Sequence, residues 1–368
     1  MYEQLNISTP TLLLDEEKCR RNIEAMAEKA RRHDLLFRPH FKTHQSQELG
    51  RWFRDYGVDS ITVSSLKMAS YFADDGWLDI TVAFPVNIRE QQRLSALASR
   101  VQLNLVAENT ESLDALDKLL QSPVRIFIKT DTGYHRTGLG PHQSELIDRM
   151  LNRMERSSKL EFAGFLAHAG HSYQGRRDKV VAEVHREALD VMQQLRDRYE
   201  GRYPTMMVSL GDTPTCSTMT EYPGVDEIRP GNFVFYDLTQ VFIGSCSAEN
   251  IAVGLACPVV ALHPDRQEII LYGGGVHLSK DRVEDPGGRT IFGYVADWTQ
   301  RGWQLHEKPA YLRSLSQEHG IVRATPEMMQ RTKVGDLLCV LPVHSCMTAD
   351  LMKEYLTLDG KSIDMMKW

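Results

Sequence analysis

The stretch VQLNLVAENTESLDALDKLLQSPVRIFIK, residues 101–129, contains one complete strand–helix–strand unit. Val101–Val106 and Val124–Lys129 are short runs rich in β-branched and apolar residues, as buried strands are. Between them, Glu111–Leu120 has apolar residues at helical spacing and predicts an amphipathic helix. This stretch therefore predicts a repeating α/β unit.

The same alternation continues through the first two-thirds of the chain. The segments with strand character are Leu35–Pro39, Ser60–Val63, Ile80–Phe84, Val101–Val106, Val124–Lys129, Leu160–Ala167, Met206–Leu210 and Asp226–Arg229. The segments with helical character are Asp15–Arg32, with Asp15 as a candidate N-cap, Ser65–Asp74, Glu111–Leu120, Ser144–Arg156 and Lys179–Arg198. About eight strands, each followed by a helix, close a (β/α)8 barrel of about 250 residues. We therefore expect a TIM-type barrel over residues 15–235 rather than an open doubly wound sheet.

The character of the sequence changes after Tyr236. Runs with strand character at Val259–Leu262, Glu268–Tyr272 and Asp336–Leu341 are separated by Gly and Pro turns, with few long helices. This pattern predicts a mainly β domain over residues 236–368. The strand-like run Pro10–Leu14 has no partner in the barrel count, so residues 1–14 are expected to join the second domain.

Composition excludes several classes of protein. The chain has 368 residues, of which 42% are hydrophobic and 25% charged, and its formal net charge is −6 with the two signs interspersed. This is a globular composition without the basic stripe of a nucleic-acid-binding protein. The six cysteines are scattered, which favours reduced thiols and a cytoplasmic protein. The longest apolar run, Ile251–Leu262, is short, and the N-terminus has no apolar export segment, so we expect no membrane span and no export.

The segment Arg38-Pro-His-Phe-Lys-Thr-His44 ends the first barrel strand. Active sites of such barrels lie at the carboxyl ends of the strands. Lys42, flanked by two histidines, is expected there to be partly desolvated and near other cations, which would make its neutral amine available for an imine with an aldehyde. A solvated surface lysine is the alternative, and for this motif taken alone it is the more frequent case.

Two later loops have the residues that a phosphate group requires. They follow the seventh and eighth strands, at 209–215 and 229–232, where (β/α)8 barrels often bind phosphate. Their glycines let backbone N–H groups approach an anion, and their hydroxyl groups can donate to it, whereas ordinary Gly/Pro turns are the alternative. The expected contacts are Ser209, Gly211, Thr213, Thr215, Arg229, Gly231 and Asn232. A phosphate opposite a lysine is what anchored pyridoxal phosphate needs.

The fifth and sixth strands also end in polar residues. Arg136 follows the fifth strand, near the barrel mouth, where its guanidinium could bind an anionic phenolate oxygen; an exposed, salt-bridged arginine is the alternative. The run His168-Ala-Gly-His-Ser-Tyr173 follows the sixth strand and groups two imidazoles with a phenol, which could stack on a ring or relay a proton.

A histidine and a cysteine two positions apart occur in the second domain, in Pro342-Val-His-Ser-Cys346. If this segment is extended, His344 and Cys346 lie on one face and form a plausible pair of zinc ligands. Two ligands are fewer than the three of most catalytic zinc sites, and a buried cysteine beside a core histidine is the alternative. Glu318 and His319 are possible neighbours of this pair, without an assigned role.

Taken together, the motifs resemble those of the fold-type III pyridoxal-phosphate enzymes, which have an alanine-racemase-like barrel, and among them the D-serine dehydratase and D-threonine aldolase family. The resemblance covers nearly the whole chain through PHFKTH, DTGYHRTG, HAGHSY, GDTPT, RPGN and PVHSC. It implies that Lys42 holds pyridoxal 5'-phosphate as a Schiff base and that Arg136 contacts the phenolic oxygen. It also implies that the two glycine loops hold the phosphate and that His168 and Tyr173 are cofactor contacts, Tyr173 at the pyridine nitrogen.

The resemblance also bears on the reaction. His344 and Cys346 match the metal pair of the dehydratases, whereas the aldolases favour a carboxylate at the second position, so the resemblance implies a dehydratase with a divalent metal: zinc first, manganese or magnesium as alternatives. The segment Tyr272–Asp281 departs from the family pattern, because it lacks the leading acidic residue of an Asp-x-Gly motif.

The leading hypothesis is therefore a lyase that converts a β-hydroxy D-amino acid to a 2-oxo acid and ammonia, with Lys42 removing the α-proton and the metal binding the β-hydroxyl. Retro-aldol cleavage to glycine and an aldehyde, racemisation, and non-catalytic cofactor binding are the alternatives. A homodimer is expected by analogy alone.

Overall fold

The computed structural model describes residues 5–174 and 178–367. The first four residues of the N-terminal segment considered above lie outside this range. The strands are β1 Thr11–Leu14, β2 Leu36–Phe37, β3 Ser60–Val63, β4 Asp79–Pro85, β5 Gln102–Ala107, β6 Val124–Thr130, β7 Leu160–Ala167, β8 Met207–Leu210, β9 Glu227–Ile228, β10 Val253–His263, β11 Glu268–Tyr272, β12 Val283–Glu284, β13 Thr290–Ile291, β14 Gly293–Thr299, β15 Gly302–Gln304, β16 Tyr311–Leu315, β17 His319–Arg323, β18 Leu337–Pro342, β19 Glu354–Thr357 and β20 Ser362–Asp364. The helices are α1 Glu16–Arg32, α2 Gln47–Arg54, α3 Leu66–Ala73, α4 Gln91–Ala98, α5 Thr110–Leu119, α6 Ser144–Glu155, α7 Asp178–Tyr199, α8 Thr213–Thr218, α9 Leu238–Ile243, α10 Gly275–Leu278, α11 Pro326–Arg331 and α12 Ser345–Met352.

The chain divides into two compact units. The barrel unit comprises Ala25–Lys42 and Gly50–Gly231. The β unit comprises Met1–Glu24, Thr43–Leu49 and Asn232–Trp368. Each unit therefore contains more than one stretch of the chain.

The barrel unit is built on eight parallel strands in the order β2-β9-β8-β7-β6-β5-β4-β3. The two ends of this sheet meet in a parallel bridge between His40 and Thr62. Backbone hydrogen bonds from Phe41 N to the Thr62 carbonyl, 2.8 Å, and from Thr62 N to the Pro39 carbonyl, 2.9 Å, support the bridge. The sheet is therefore closed, which confirms the expected (β/α)8 barrel.

The sequence of the barrel strands explains their position in the core. β3 is buried at every residue and β5 at all but its first, as expected for parallel strands that are covered on both faces. The first barrel helix begins where its cap predicts, because Asp15 Oδ1 accepts a hydrogen bond from Lys18 N at 3.0 Å and α1 starts at Glu16. Three short helices, α2, α4 and α8, were not among the predicted ones; with only six to eight residues each, they are too short for a clear periodic pattern.

The β unit contains a ten-stranded sheet whose main path runs β11-β17-β16-β14-β18-β10-β1-β19-β20. β1 lies inside this sheet, antiparallel to β10 and parallel to β19, with Leu13 opposite both Gly254 and Leu356. The remaining pairings on the path are antiparallel. A mainly β C-terminal domain is thereby confirmed. Across the described part of the chain, no helix is long and apolar enough to span a bilayer.

Candidate active site

Lys42 lies where β2 ends, directly after an aromatic anchor. The Phe41 ring is fully buried and packs against Phe53, Phe72 and Trp77 with ring centroids 4.9–5.1 Å apart. The side chain of Lys42 itself is exposed. Strand β2 ends at Phe37 and Lys42 follows five positions later, so the expected partial desolvation is not seen at this residue.

A second lysine of the barrel, which sequence reasoning did not single out, is the desolvated one. Lys129 on β6 is only 6% exposed and donates to the backbone carbonyls of Thr130 and Leu166, at 2.8 and 3.5 Å. Burial lowers the pKa of Lys129 to about 7, with further contributions from the positive charges of Arg229 and Arg136. At neutral pH a large fraction of this amine is uncharged.

His168 lies among these cations. Its Nδ1 donates to the Gly211 carbonyl, because a carbonyl can only accept, so Nε2 carries the lone pair. Burial lowers the pKa of His168 to about 3, and the positive charge of Lys42 adds to the effect. The imidazole is therefore neutral at physiological pH and can only accept a hydrogen bond at Nε2.

Arg136 is exposed, and its guanidinium carbon lies 5.0 Å from the centre of the Tyr134 ring. Tyr134 in turn lies 6.1 Å from the His168 ring and 6.2 Å from the His171 ring. These contacts group the predicted residues of the fifth and sixth strands.

The first predicted phosphate loop is held by Asp212, the N-cap of α8. Asp212 accepts from Thr215 N at 2.9 Å, Thr215 Oγ1 at 2.8 Å and Ser172 Oγ at 2.8 Å. Thr215 is therefore committed to the cap. By contrast, Thr213 Oγ1 is buried and has no hydrogen-bond partner among the described residues. Tyr173 lies at this loop, because its hydroxyl accepts from Thr213 N at 3.1 Å.

The second predicted loop lies against the first. A Cβ at Gly211 would come within 2.8 Å of Arg229 Cβ and 3.0 Å of its carbonyl oxygen, so only glycine permits this approach. The Arg229 guanidinium donates to Ser209 Oγ and, at 2.6 Å, to the Ala167 carbonyl. The hydroxyl of Ser209 donates to Glu227. Gly231, next in the loop, is buried.

These contacts divide the predicted phosphate ligands into two groups. The side chains of Ser209, Thr215 and Arg229 hold protein partners, whereas the hydroxyl of Thr213 has none among the described residues. A buried network continues below Arg229: Arg38 donates to Glu227 at 2.6 Å and to Asp79 at 2.6 and 3.1 Å. Glu227 thus balances two buried guanidiniums, and sequence reasoning missed it because it carries no motif.

In the β unit, His344 and Cys346 form a contact pair at the start of α12. Cys346 Sγ lies 3.4 Å from Thr43 Oγ1 and accepts from Asn232 Nδ2 at 3.4 Å. His344 Nδ1 lies 2.7 Å from Asp281 Oδ2. The predicted residues His344, Cys346 and Asn232 therefore come together.

The contacts of His344 and Cys346 favour a positive charge on the imidazole and a negative charge on the thiol. Burial alone would lower the pKa of His344, but its hydrogen bonds to Asp281 and Cys346 raise it to about 11. Burial alone would raise the pKa of Cys346, but the hydrogen bond and charge of His344 lower it. Asp237, a buried carboxylate that sequence reasoning missed, accepts from Asn232 Nδ2 at 2.7 Å and from Ser345 N at 3.0 Å, and so fixes the start of α12.

Glu318 and His319, the other possible neighbours of the pair, make contacts with residues outside it. Glu318 Oε2 is 3.9 Å from His277 Nε2, and His319 begins β17 with its backbone N–H donated to Ser316 Oγ at 3.3 Å. Among the described residues, no group of three or more His, Cys, Asp or Glu has a geometry that could hold a metal ion.

A closed parallel barrel with a lysine after its first strand, a cationic mouth and a glycine loop after its seventh is typical of one class: the pyridoxal-phosphate enzymes with an alanine-racemase-type barrel. The chain belongs to the family of the alanine racemase N-terminal domain, whose model matches residues 14–238. Residues 252–358 match a second family model, the putative serine dehydratase domain.

Named relatives match the chain over nearly its whole length. A D-serine dehydratase from Dictyostelium discoideum is 29% identical, over 96% of this chain and 94% of the relative. A D-threo-3-hydroxyaspartate dehydratase from Delftia sp. (strain HT23) is also 29% identical, over 97% and 96%. A D-threonine aldolase from Arthrobacter sp. is 24% identical, over 92% and 86%.

The fold of a solved relative is also close. A structure of D-threo-3-hydroxyaspartate dehydratase, described as a cysteine-to-alanine mutant in the metal-free form, has a TM-score of 0.90 at 26% identity and covers 99% of each chain. The family and these relatives make this chain an enzyme, a pyridoxal-phosphate-dependent lyase.

Proposed function

We propose that this enzyme is a metal-assisted D-amino acid dehydratase, which converts a β-hydroxy D-amino acid, D-serine or D-threo-3-hydroxyaspartate, to a 2-oxo acid and ammonia. The observation that carries the proposal is the contact pair of an imidazole and a thiol, His344 and Cys346. These are a nitrogen and a sulfur ligand of the kind that zinc prefers. Two of the relatives described above are dehydratases for these amino acids, which supports the choice of substrate class.

The residues of the barrel unit fit pyridoxal phosphate. The positive charges of Lys42, Arg136 and Lys129 all lower the pKa of His168. This end of the barrel is therefore positively charged, which suits an anionic cofactor. The buried, unpartnered Thr213 Oγ1 and the closely packed Gly211 suit a phosphate group. When bound, the cofactor supplies an electron sink for the charge left on Cα after proton removal.

The protein's own residues would then handle binding and proton movement. Lys42 Nζ would attach the cofactor and, once released, take the α-proton, since it is the amine at the open end of the barrel. Arg136, which is exposed, would donate to the phenolic oxygen. Neutral His168 would accept a hydrogen bond at Nε2. Tyr173, Gly231 and Asn232 stay predicted cofactor contacts.

The residues of the β unit fit a divalent metal. Asp281 holds Nδ1 of His344, which directs Nε2 to a ligand, as in metal sites where a carboxylate orients the histidine. A thiol ligand favours zinc over manganese or magnesium. When bound, the metal supplies a Lewis acid for the substrate hydroxyl. Thr43, the neighbour of Lys42 in the chain, lies 3.4 Å from Cys346 Sγ.

The substrate and reaction can be tested directly. Purified enzyme is incubated with D-serine, D-threo-3-hydroxyaspartate and D-threonine, with and without a chelator, and the products are assayed. We expect 2-oxo acid and ammonia from a β-hydroxy D-amino acid and at least a tenfold loss of rate with chelator. Glycine plus an aldehyde would instead establish the aldolase reaction. One of the relatives is named as a D-threonine aldolase. Inverted amino acid would indicate a racemase, and no product a non-catalytic protein.

The role of Lys42 gives a second, independent prediction. The Lys42→Ala variant should lose the absorbance band of covalently held cofactor, because no other exposed amine follows the first barrel strand. Lys118→Ala is the matched control, since Lys118 is an exposed lysine on α5. A Lys42→Ala protein that keeps the band after dialysis contradicts the assignment.

We also propose that the enzyme is a homodimer, as analogy within fold-type III suggests, and that it is cytoplasmic. All six cysteines are free thiols, and four of them are buried, which suits a reducing compartment. Light scattering after size exclusion measures the mass of the assembly, and cell fractionation measures the compartment.

A further inference from the structure

We infer that Asp281 is a positioning residue for the proposed metal, acting through His344. The inference rests on the proposed function, since it assumes that His344 and Cys346 bind a metal ion. Asp281 Oδ2 lies 2.7 Å from His344 Nδ1. An ionised carboxylate only accepts hydrogen bonds, so Nδ1 keeps its hydrogen, and Nε2 is the nitrogen that can lose its proton and bind a metal ion. Asp281 thus selects the tautomer and the ring orientation that a metal ion requires.

The segment that carries Asp281 is packed in a single position. It begins with Gly273, Gly274 and Gly275, which lie against neighbouring backbone and side chains. A Cβ at Gly274 would be 2.4 Å from the Gln317 carbonyl oxygen, and one at Gly273 would be 2.5 Å from Cys257 Sγ. Only glycine permits this approach. The glycine run in Tyr272–Asp281, where the sequence departs from the family pattern, therefore seats the segment against the β16–β17 turn.

The end of the segment is held at a strained residue. Ser279 has φ 68° and ψ −178°, a conformation that non-glycine residues rarely adopt and that surrounding contacts must stabilise. Its Oγ accepts from Asp281 N at 3.1 Å, which sets the direction of the Asp281 backbone. Strain of this kind accumulates at functional sites, and here it places one carboxylate.

The same segment is tied to the helix that follows His344. Thr348 Oγ1, on the first turns of α12, donates to the carbonyls of Leu278 and His344, at 3.5 and 3.2 Å. Thr348 thus connects the segment that bears Asp281 to the residue that Asp281 orients. The pair is held from both sides, as expected of a built ligand support rather than a chance surface ion pair.

The experiment measures the affinity of the full-length protein for Zn²⁺ alone, by competition with a chromophoric chelator. We expect Asp281→Ala to weaken Zn²⁺ binding about 10–100-fold, the usual effect of losing such a carboxylate. Asp281→Asn should weaken it less, because the amide oxygen still accepts from Nδ1. Asp265→Asn is the matched control, since Asp265 is an exposed carboxylate on the turn before β11.

Thermal melting of the metal-free proteins separates positioning from folding. The Asp281 side chain is 49% exposed, so the metal-free variants should melt within a few degrees of the wild type. Wild-type affinity in Asp281→Ala, with His344→Ala abolishing Zn²⁺ binding, overturns the inference and leaves the proposed function intact. If the wild type itself binds no Zn²⁺, the metal-assisted reaction and the role of Asp281 both fail.

Discussion

Lys129 shows how one buried charge can make stability depend on pH. The unfolded chain holds a proton on this amine up to about pH 10.5, whereas the folded protein releases it near pH 7. Between these values the unfolded state binds more protons, so stability rises with pH and is lost again as the pH falls towards 7. The lysine therefore destabilises the fold most below pH 7.

From this follows a prediction for Lys129→Met, which keeps an unbranched side chain without charge. At pH 6 the variant should be more stable than the wild type by a few kcal/mol, since one pKa unit corresponds to about 1.4 kcal/mol. Towards pH 10 the difference should shrink. Urea unfolding of the cofactor-free proteins at a series of pH values measures this difference in the free energy of unfolding. A difference that stays constant with pH would contradict the lowered pKa of Lys129.

Thr213 and Thr215 make a matched pair on one helix. Thr213 Oγ1 has no partner within the described residues, whereas Thr215 Oγ1 donates to Asp212 at 2.8 Å. We expect Thr213→Val to leave stability nearly unchanged and to weaken cofactor retention about 10–100-fold, because a hydrogen bond to a charged group contributes about 1.5–3 kcal/mol. Thr215→Val should instead cost about 1.5–3 kcal/mol of stability, because it removes a hydrogen bond to the Asp212 carboxylate. Equilibrium dialysis and thermal melting separate the two; equal retention in both variants would argue against a phosphate at Thr213.

Among individual residues, the sequence pointed to those that carry a motif and missed those defined only by contacts. Lys42, His344 and Cys346 stand in recognisable strings. Asp281 and Glu227 do not, because their roles come from partners 63 and 189 positions away in the chain. Sequence also assigned desolvation to Lys42 instead of Lys129, because burial depends on where a strand ends.

Among the elements, the β6 loop shows how backbone geometry presents a side chain. The loop 130–139 closes through hydrogen bonds from Leu139 N to the Lys129 carbonyl, 2.8 Å, and from Asp131 N to the Leu139 carbonyl, 3.1 Å. Gly138 has φ 115°, and its N–H donates to Glu108 Oε2 at 2.6 Å. The closed loop holds Arg136 at the barrel mouth.

Gly138→Ala should therefore disturb both stability and the site. A Cβ there would lie 2.6 Å from Asp131 N and from the Thr130 carbonyl carbon, so the loop must open. Gly57→Ala is the control for backbone conformation alone, since Gly57 has φ 82° and nothing within 4 Å of its Cβ position. We expect about 1 kcal/mol for Gly57→Ala and clearly more for Gly138→Ala, with weaker cofactor retention only in the latter. Similar melting and retention in the two would show that the loop tolerates the clash.

Sequence patterns predicted the bounds of some strands and missed those of others. β3 and β7 have the predicted bounds, whereas the five-residue run Leu35–Pro39 became the two-residue β2. Strand length at the closure of a barrel depends on pairing with the far end of the chain, here Glu227–Ile228, and no local pattern encodes this. The short helices α2 and α8 escaped prediction for the same reason: tertiary contacts, rather than propensity, stabilise them.

Over the whole molecule, the fold class was predictable and the path of the chain was not. The repeat of strands and helices specifies a barrel, because few architectures satisfy it. The division of the chain does not follow from any pattern: the segment Thr43–Leu49, between two barrel elements, belongs to the β unit. There the Tyr355 hydroxyl donates to the His44 carbonyl at 2.8 Å and Met366 N donates to the Gln45 carbonyl at 2.7 Å.

The N-terminal strand β1 provides a test of what holds the β unit together. Leu12, Leu13 and Leu14 of β1 are at most 1% exposed, and β1 separates β10 from β19. Removing one buried leucine side chain costs about 2–5 kcal/mol, so three approach the 5–15 kcal/mol that stabilises a typical domain. Deleting residues 1–14 should therefore abolish soluble expression, although Asp15 and the cap of α1 remain. Deleting only residues 1–9, of which the described ones are half-buried or exposed, should leave the melting temperature nearly unchanged.

Soluble yield and melting compare the two truncations. If the protein without residues 1–14 is soluble and melts like the wild type, the β unit does not need its inner strand. The edges of β10 and β19 that β1 leaves exposed would then have to pair with another strand.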